Sequence, residues 1–557
     1  MFRQVRPNRM TAWMVGAIIF LMAFVDVAIN HLGTWEPPRD GSYCSTNSGT
    51  GLVPETQPTT QAATENGAGS DVPIKTSQFH YLIPASKTSR RFCFLLASSA
   101  ASRYPAPQIM GWNGTGLFDA AKTHLAKLRA IQVYLESLPR EEDDDIVLVV
   151  DGYDVIMQLP PEIMLKRYFA TMEAENKRTA ERFNITLDQV KEQNLDTTLF
   201  FGPDKLCWPT NWRAPRCWAI PPSTLPSKAF GPKTNNGDSF YVLPKWLNSG
   251  TLIGPANHMR DYIAATMKEI DHTYDPTYRL KDSDQYYLAN VWGRQEYYRS
   301  KKLHGDEVPG GPGDRFLPRK FTNDQQVEFH VGIEYESAMF QTKGYYQPFN
   351  GWLYYNGTDT PTAMMTKDIF EEGDGFKPFP IEMPEEIQKS LSKIYDEIPD
   401  AHPGSTSNEW IRDVVLGTNY ATKKIWCLWH ATGDKKVIEG QYTKFWFYPF
   451  ARSLLKSAVK SLRASNKISN QPIGGRYWVH KTVYPDSDKL TDPLGGAWSD
   501  EETGRRFIPW DEMCKHFDKD VLGGENAEPE RIVLTSPGAT NKPFGDSPAG
   551  GGGDSDD

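Results

Sequence analysis

From Arg91 to Ile270 the chain alternates short apolar runs with longer amphipathic stretches, and that alternation narrows the fold more than any single residue does. "RFCFLLASS" (from Arg91), "DIVLVV", "TTLFFG" and "FYVLPKWLNSGTLIG" have the length and composition of buried strands. Between them, "LFDAAKTHLAKLRAIQVYLESL" places Phe118, Ala121, Leu125, Leu128, Ile131 and Leu135 at helical spacing. "PPEIMLKRYFATMEAENKRTAERF" opens on prolines, as helices do, and "ANHMRDYIAATMKEI" reads as another helix. Strands and helices in alternation predict an α/β fold, a mostly parallel sheet with helices on both faces. Ligands of such sheets bind beyond the carboxyl ends of the strands. Past residue 375 the alternation weakens to two helices, "EEIQKSLSKIYDEI" and "FWFYPFARSLLKSAVKSLRAS", and a strand in "KKIWCLWHAT". We therefore expect a main domain over 88–375 and a smaller C-terminal α+β extension over 376–534.

The N-terminus predicts a membrane anchor. Arg3, Arg6 and Arg9 precede "MTAWMVGAIIFLMAFV", uncharged from Met10 to Val25. A positive flank holds that end in the cytoplasm, and the run exceeds the usual core of a cleaved signal. The expected order is a cytoplasmic tail (1–9), a transmembrane signal-anchor (10–29) and a polar stem rich in Ser, Thr, Gly and Pro (30–80). The main domain and extension follow, then a disordered tail (535–557). This is a single-pass type II arrangement in the Golgi or endoplasmic reticulum membrane, with the head in the lumen. Asn-x-Thr triplets at Asn113, Asn184 and Asn356 agree with a lumenal head. Of the six cysteines, Cys207 and Cys217 bracket a loop that a local disulfide can close, while Cys93, in an apolar run, reads as a buried thiol. A net charge of −9 with no long basic run excludes a nucleic-acid partner.

The chemistry concentrates at "IVLVVDGYDVIM" (Ile146–Met157), where a buried strand ends in Asp151 and Asp154 follows after Gly152 and Tyr153. Two carboxylates aimed at one point suit Mn²⁺ or Mg²⁺, which prefer oxygen ligands and leave positions open for phosphate oxygens. The plain alternative is an Asx turn with the second Asp in solvent. Downstream come "FFGPDKLCWP", "KWLNSGTLIG" and "KDSDQYYLANVW", the last placing Asp282 and Asp284 where a helix would begin. Helix capping alone would explain an Asp there.

In the order "AKLR", "VDGYDVIM", "FFGPDKLCWP", "LNSGTLIG", "DSDQYY", the chain resembles the glycosyltransferase domain of the procollagen lysyl hydroxylase and procollagen galactosyltransferase group, over roughly residues 88–345. The resemblance implies a GT-A fold binding a nucleotide sugar with a divalent metal. It implies Asp151, Asp154 and His330 as metal ligands. Lys127, Trp208 and Asn248 would meet the donor, Lys127 at its diphosphate and Trp208 beside the sugar. Asp284, with Asp282, would act near the transferred sugar or the acceptor; Ser283 stands where the family has an acidic residue. The implied function is a lumenal hexosyltransferase moving a sugar from a UDP-sugar to an acceptor hydroxyl of a glycoprotein or glycan, with Mn²⁺ or Mg²⁺.

Two rivals accompany this expectation: an inactive GT-A-like scaffold or sugar-binding module, and a metal-dependent phosphohydrolase, which normally needs a second ligand cluster. A hydroxylase is not expected. The His304-Gly305-Asp306 triplet falls in a Gly/Pro-rich loop, and no iron-binding set is evident around it.

Overall fold

The computed structural model describes residues 73–120, 122–305, 307–311, 326–485, 493–500 and 505–523. The expected cytoplasmic tail, the span at 10–29, nearly all of the stem and the C-terminal tail lie outside these residues. Among the described residues no helix is long and apolar enough to cross a membrane.

A nine-stranded, mostly parallel sheet organises the molecule. Its strands are β1 (Thr76–Pro84), β2 (Gln108–Met110), β3 (Ile146–Val150), β5 (Leu199–Asp204), β6 (Trp246–Pro255), β7 (Val331–Ile333), β15 (Tyr477–His480), β16 (Gly496–Ser499) and β17 (Arg506–Pro509). They run in the order β17-β16-β2-β1-β3-β6-β5-β7, with β15 pairing the first half of β1. β1 is parallel to β2, β3 and β15, while β6 lies antiparallel between β3 and β5.

β3 shows why its sequence is apolar without a break. Ile146, Leu148 and Val150 enter one core, with helix α1 (Arg90–Ala101). Val147 and Val149 enter the other, with α2 (Leu125–Ser137) and, later in the chain, α4 (Ala256–Thr273) and α5 (Asp284–His304). A strand buried on both faces cannot afford alternate polar residues. Between α2 and α4, the long helix α3 (Pro161–Phe183) starts on a proline and ends at Asn184, whose left-handed backbone caps it.

Two expectations change at the N-terminal side of the sheet. "RFCFLLASS" is not the first strand; it is α1, nucleated where the Ser89 side chain accepts from Phe92 N–H and buried from Phe92 to Ala101. The first strand is β1, which begins inside the stretch expected as stem. Cys93 is correspondingly not a free thiol but is bonded to Cys514, and Cys207 is bonded to Cys217.

The stretch expected as a C-terminal extension supplies β15, β16 and β17 to the main sheet. It also supplies β14 (Leu428–His430), which sits between β4 (Val155–Met157) and β8 (Phe340–Thr342) in a small three-stranded sheet. Beside these, β12 (Val415–Asn419) joins β9 (Asn350–Tyr354) to β13 (Lys424–Ile425), and β10 (Thr362–Met365) pairs with β11 (Phe379–Glu382). The helices α6 (Glu385–Asp396) and α7 (Ala451–Ala464) bury Ile387, Leu391, Leu454 and Leu455 in the same core as α1.

Candidate metal centre

The site forms where β3, β5 and β14 end and β6 begins. β3 delivers Asp151, whose backbone N–H donates to Gly250 O of β6 at 2.9 Å. The chain then turns at Gly152, where a side chain would drive a Cβ to 2.5 Å from Pro84 O. The turn leads to Asp154, at the head of β4. Because β4 pairs with β14 so that Val155 faces His430, the strand register sets the imidazole beside Asp154. His430 Nε2 lies 3.5 Å from Asp154 Oδ1 and 4.0 Å from Asp151 Oδ2. One donor atom from each of Asp151, Asp154 and His430 falls within 4.8 Å of the other two.

Two lysines flank this group. Lys127 of α2 reaches Asp151 Oδ1 at 2.5 Å, Asp284 Oδ2 at 2.9 Å and Ser249 O at 3.0 Å, tying three elements together. Lys435 lies 3.2 Å from Asp154 Oδ2. Burial would raise the Asp154 pKa, but His430 and Lys435 outweigh it and hold the carboxyl well below its ordinary range. For Lys127 burial works downward, and Asp151 and Asp284 together hold its pKa above normal. The Lys435 ammonium is likewise held charged, chiefly by Asp154. Asp154 therefore stays ionised and offers ligand oxygens at neutral pH, and Asp151 faces the Lys127 ammonium.

Two carboxylates and one imidazole suit a divalent ion that takes mixed oxygen and nitrogen ligands. The buried His430 Nδ1 has no hydrogen-bond partner among the described residues, so nothing there dictates which tautomer the ring adopts. The residues present fit a bound metal ion.

The other expected residues divide. Asp284 opens α5 and lies in the site through Lys127, while the cap itself belongs to Ser283, whose side chain accepts from Tyr286 N–H. Burial raises the Asp284 carboxyl, but Lys127 and then His124 more than offset it, leaving the pKa lowered. Asp282 is engaged by other partners: its oxygens pair with Thr123 Oγ1 at 3.1 Å and Lys281 Nζ at 2.9 Å. Asn248 is buried, accepting from Gly250 N–H at 3.1 Å and donating to Asp204 Oδ2 at 3.5 Å, so it shapes the start of β6. Trp208, 42% exposed, stands in the disulfide-closed loop after β5, which emerges at the same edge of the sheet.

His330 is elsewhere. It precedes β7, its carbonyl accepting from Thr198 and Leu199 N–H where β5 begins, at the sheet edge opposite Asp204. There its ring stacks on His258 at 3.9 Å and bonds the Asp196 carbonyl at 2.8 Å. The structure brings His430, not His330, to the aspartate pair. The signal in the sequence was a polar ligand closing an apolar strand, "CLWH", the same pattern as "LVVD". Asp204 is a second unexpected neighbour; it ends β5, and burial raises its carboxyl pKa.

No protein-family model matches the chain, and no curated protein is significantly similar to it.

Proposed function

We propose that the chain is a metal-dependent glycosyltransferase of GT-A type, moving a hexose from a UDP-sugar to a hydroxyl of a glycoprotein or glycan. The observation that carries this reading is the bridge made by Lys127, which joins the Asp151, Asp154 and His430 group to Asp284. Glycosyl transfer from a nucleotide sugar needs positive charge where a diphosphate departs, and an inverting transfer also uses a carboxylate at the acceptor hydroxyl. Mn²⁺ or Mg²⁺ held by Asp151, Asp154 and His430 supplies that positive charge when bound. Lys127 fixes Asp151 and Asp284 relative to each other. Asp284, kept ionised, is the group offered to the acceptor hydroxyl. Trp208 presents an exposed ring at the rim, suited to packing against a sugar.

Lumenal placement on a type II anchor has separate support. Among the described residues two disulfides form, a bond that persists in oxidising compartments. Asn113, Asn184 and Asn356 are all exposed. The Arg3, Arg6 and Arg9 flank supplies the orientation.

The test is UDP release by the purified full-length chain, in detergent, from a panel of UDP-sugars with Mn²⁺. Release should occur with at least one sugar and vanish with chelator or in Asp154→Asn. Turnover that survives Asp154→Asn at saturating Mn²⁺, or no release from any UDP-sugar, overturns the reading.

A further inference from the structure

A second group of convergent ligand atoms lies at the opposite end of β3, between β1 and the turn that precedes Ile146. It consists of His80, Glu142 and Asp145. β3 separates it from Asp151 by roughly 17 Å, at about 3.3 Å per residue, so it is not part of the site described above.

Each of its three side chains has one atom held from outside and one atom turned to the middle. The Tyr134 hydroxyl meets His80 Nδ1 at 2.8 Å. Gln78 N–H donates to Asp145 Oδ1 at 2.8 Å. Lys481 and the Gln78 amide both donate to Glu142 Oε1. What remains is His80 Nε2, Asp145 Oδ2 and Glu142 Oε2, and the three residues bring one ligand atom each to within 4.8 Å of the other two. Nε2 lies 3.4 Å from Asp145 Oδ2 and 3.9 Å from Glu142 Oε2. The His80 side chain is wholly buried, and that of Asp145 is 4% exposed.

The imidazole alone leaves this arrangement unsatisfied. One N–H on Nε2 can point at only one carboxylate, and Asp145 is the nearer. Glu142 Oε2 is shut off from solvent and has no hydrogen-bond partner among the described residues. A buried acceptor left unmet costs about 1–3 kcal/mol, more when charged. A cation in the middle meets all three atoms at once. Ligand atoms around a tetrahedral ion at about 2.1 Å are roughly 3.4 Å apart, the separation of His80 Nε2 from Asp145 Oδ2, and Glu142 Oε2 at 3.9 Å has only to close in slightly. The outer hydrogen bonds are of the kind that orient metal ligands.

We infer that His80, Glu142 and Asp145 form a second divalent-metal site, suited by its nitrogen and two carboxylates to Zn²⁺ or a similar transition ion, that pins β1 to the turn before β3. This inference is independent of the proposed transferase activity. Lys481, following β15, is drawn in through Glu142, so the ion would also fasten a late strand to the first one.

The probe is Zn²⁺ with the full-length chain carrying Asp154→Asn, which disables the first centre. Crystals of this variant grown with Zn²⁺ should show a zinc-edge anomalous peak between His80 and Asp145. In solution its zinc affinity should fall at least about tenfold on adding Glu142→Gln, a change on a partly exposed side chain. An anomalous map with no peak at His80, or a double variant with unchanged zinc affinity, overturns the inference. The map decides the matter even where Glu142→Gln impairs folding.

Discussion

Gly250 lies against the imidazole of His430: a Cβ built on Gly250 would stand 2.0 Å from His430 Cε1 and 2.5 Å from Nε2. The glycine of "LNSG" is thus the space that the histidine of "CLWH" occupies.

Gly250→Ala should therefore act as a ligand mutation without touching a ligand. The ring must move, since such a contact cannot be borne, and both aspartates stay. We expect Mn²⁺ affinity to fall by about 10–100-fold, the range for lost support of a metal ligand. Titration of the purified variant by calorimetry checks this; an unchanged affinity would separate His430 from metal binding.

Asp284→Asn distinguishes chemistry from architecture. Ser283 holds the cap, so the substitution leaves the helix capped at its start. Lys127 keeps its bond to Asp151. UDP binding should stay near wild type while transfer falls by about 10²–10⁴-fold, as for a lost positioned base. Equal loss in both measurements would move Asp284 into the nucleotide site.

Glu334 predicts a pH dependence of stability. It is 1% exposed and accepts from the N–H groups of Ala338, Met339 and Phe340. Burial pushes its pKa up from 4.5 to about 7 in spite of those bonds. A folded-state pKa above the unfolded one means that the folded form holds the proton more tightly. Its contribution is full below about pH 4.5, is lost as pH rises towards about 7, and is flat above. The loss is about 3 kcal/mol across that window. Denaturant midpoints from pH 5 to 7.5 should show this slope in the wild type and a shallower one in Glu334→Gln. Parallel curves would refute it.

Cys514→Ser should cost about 2–5 kcal/mol, the usual range for a native disulfide. The bond to Cys93 joins α1 to the last described helices across 421 residues of sequence. Reductant should destabilise the wild type more than the variant. Equal sensitivity would mean that Cys207–Cys217 carries the effect.

What the sequence revealed follows from how local each feature is. β3 and its aspartates were legible because one run of residues carries both the burial and the ligands. α1 was misread because a helix buried on every side shows no periodicity; the sign of its start was Ser89. β1 was hidden by His80 and by its nearness to the polar stem. β15, β16 and β17 are four residues each, and they pair with strands laid down hundreds of residues earlier or with one another. No local pattern announces such pairing. His430 was missed for the same reason, since its place beside Asp154 is a matter of register between β4 and β14.

That register also orders events in time. Asp151 and Asp154 leave the ribosome long before His430 does, and β4 cannot pair with β14 until the later strand exists. A nascent or prematurely terminated chain carries both carboxylates and lacks the imidazole, so the three-residue centre appears only after synthesis has passed His430. Assembly of the centre is thereby a late checkpoint, reached when distant parts of the polypeptide have found each other.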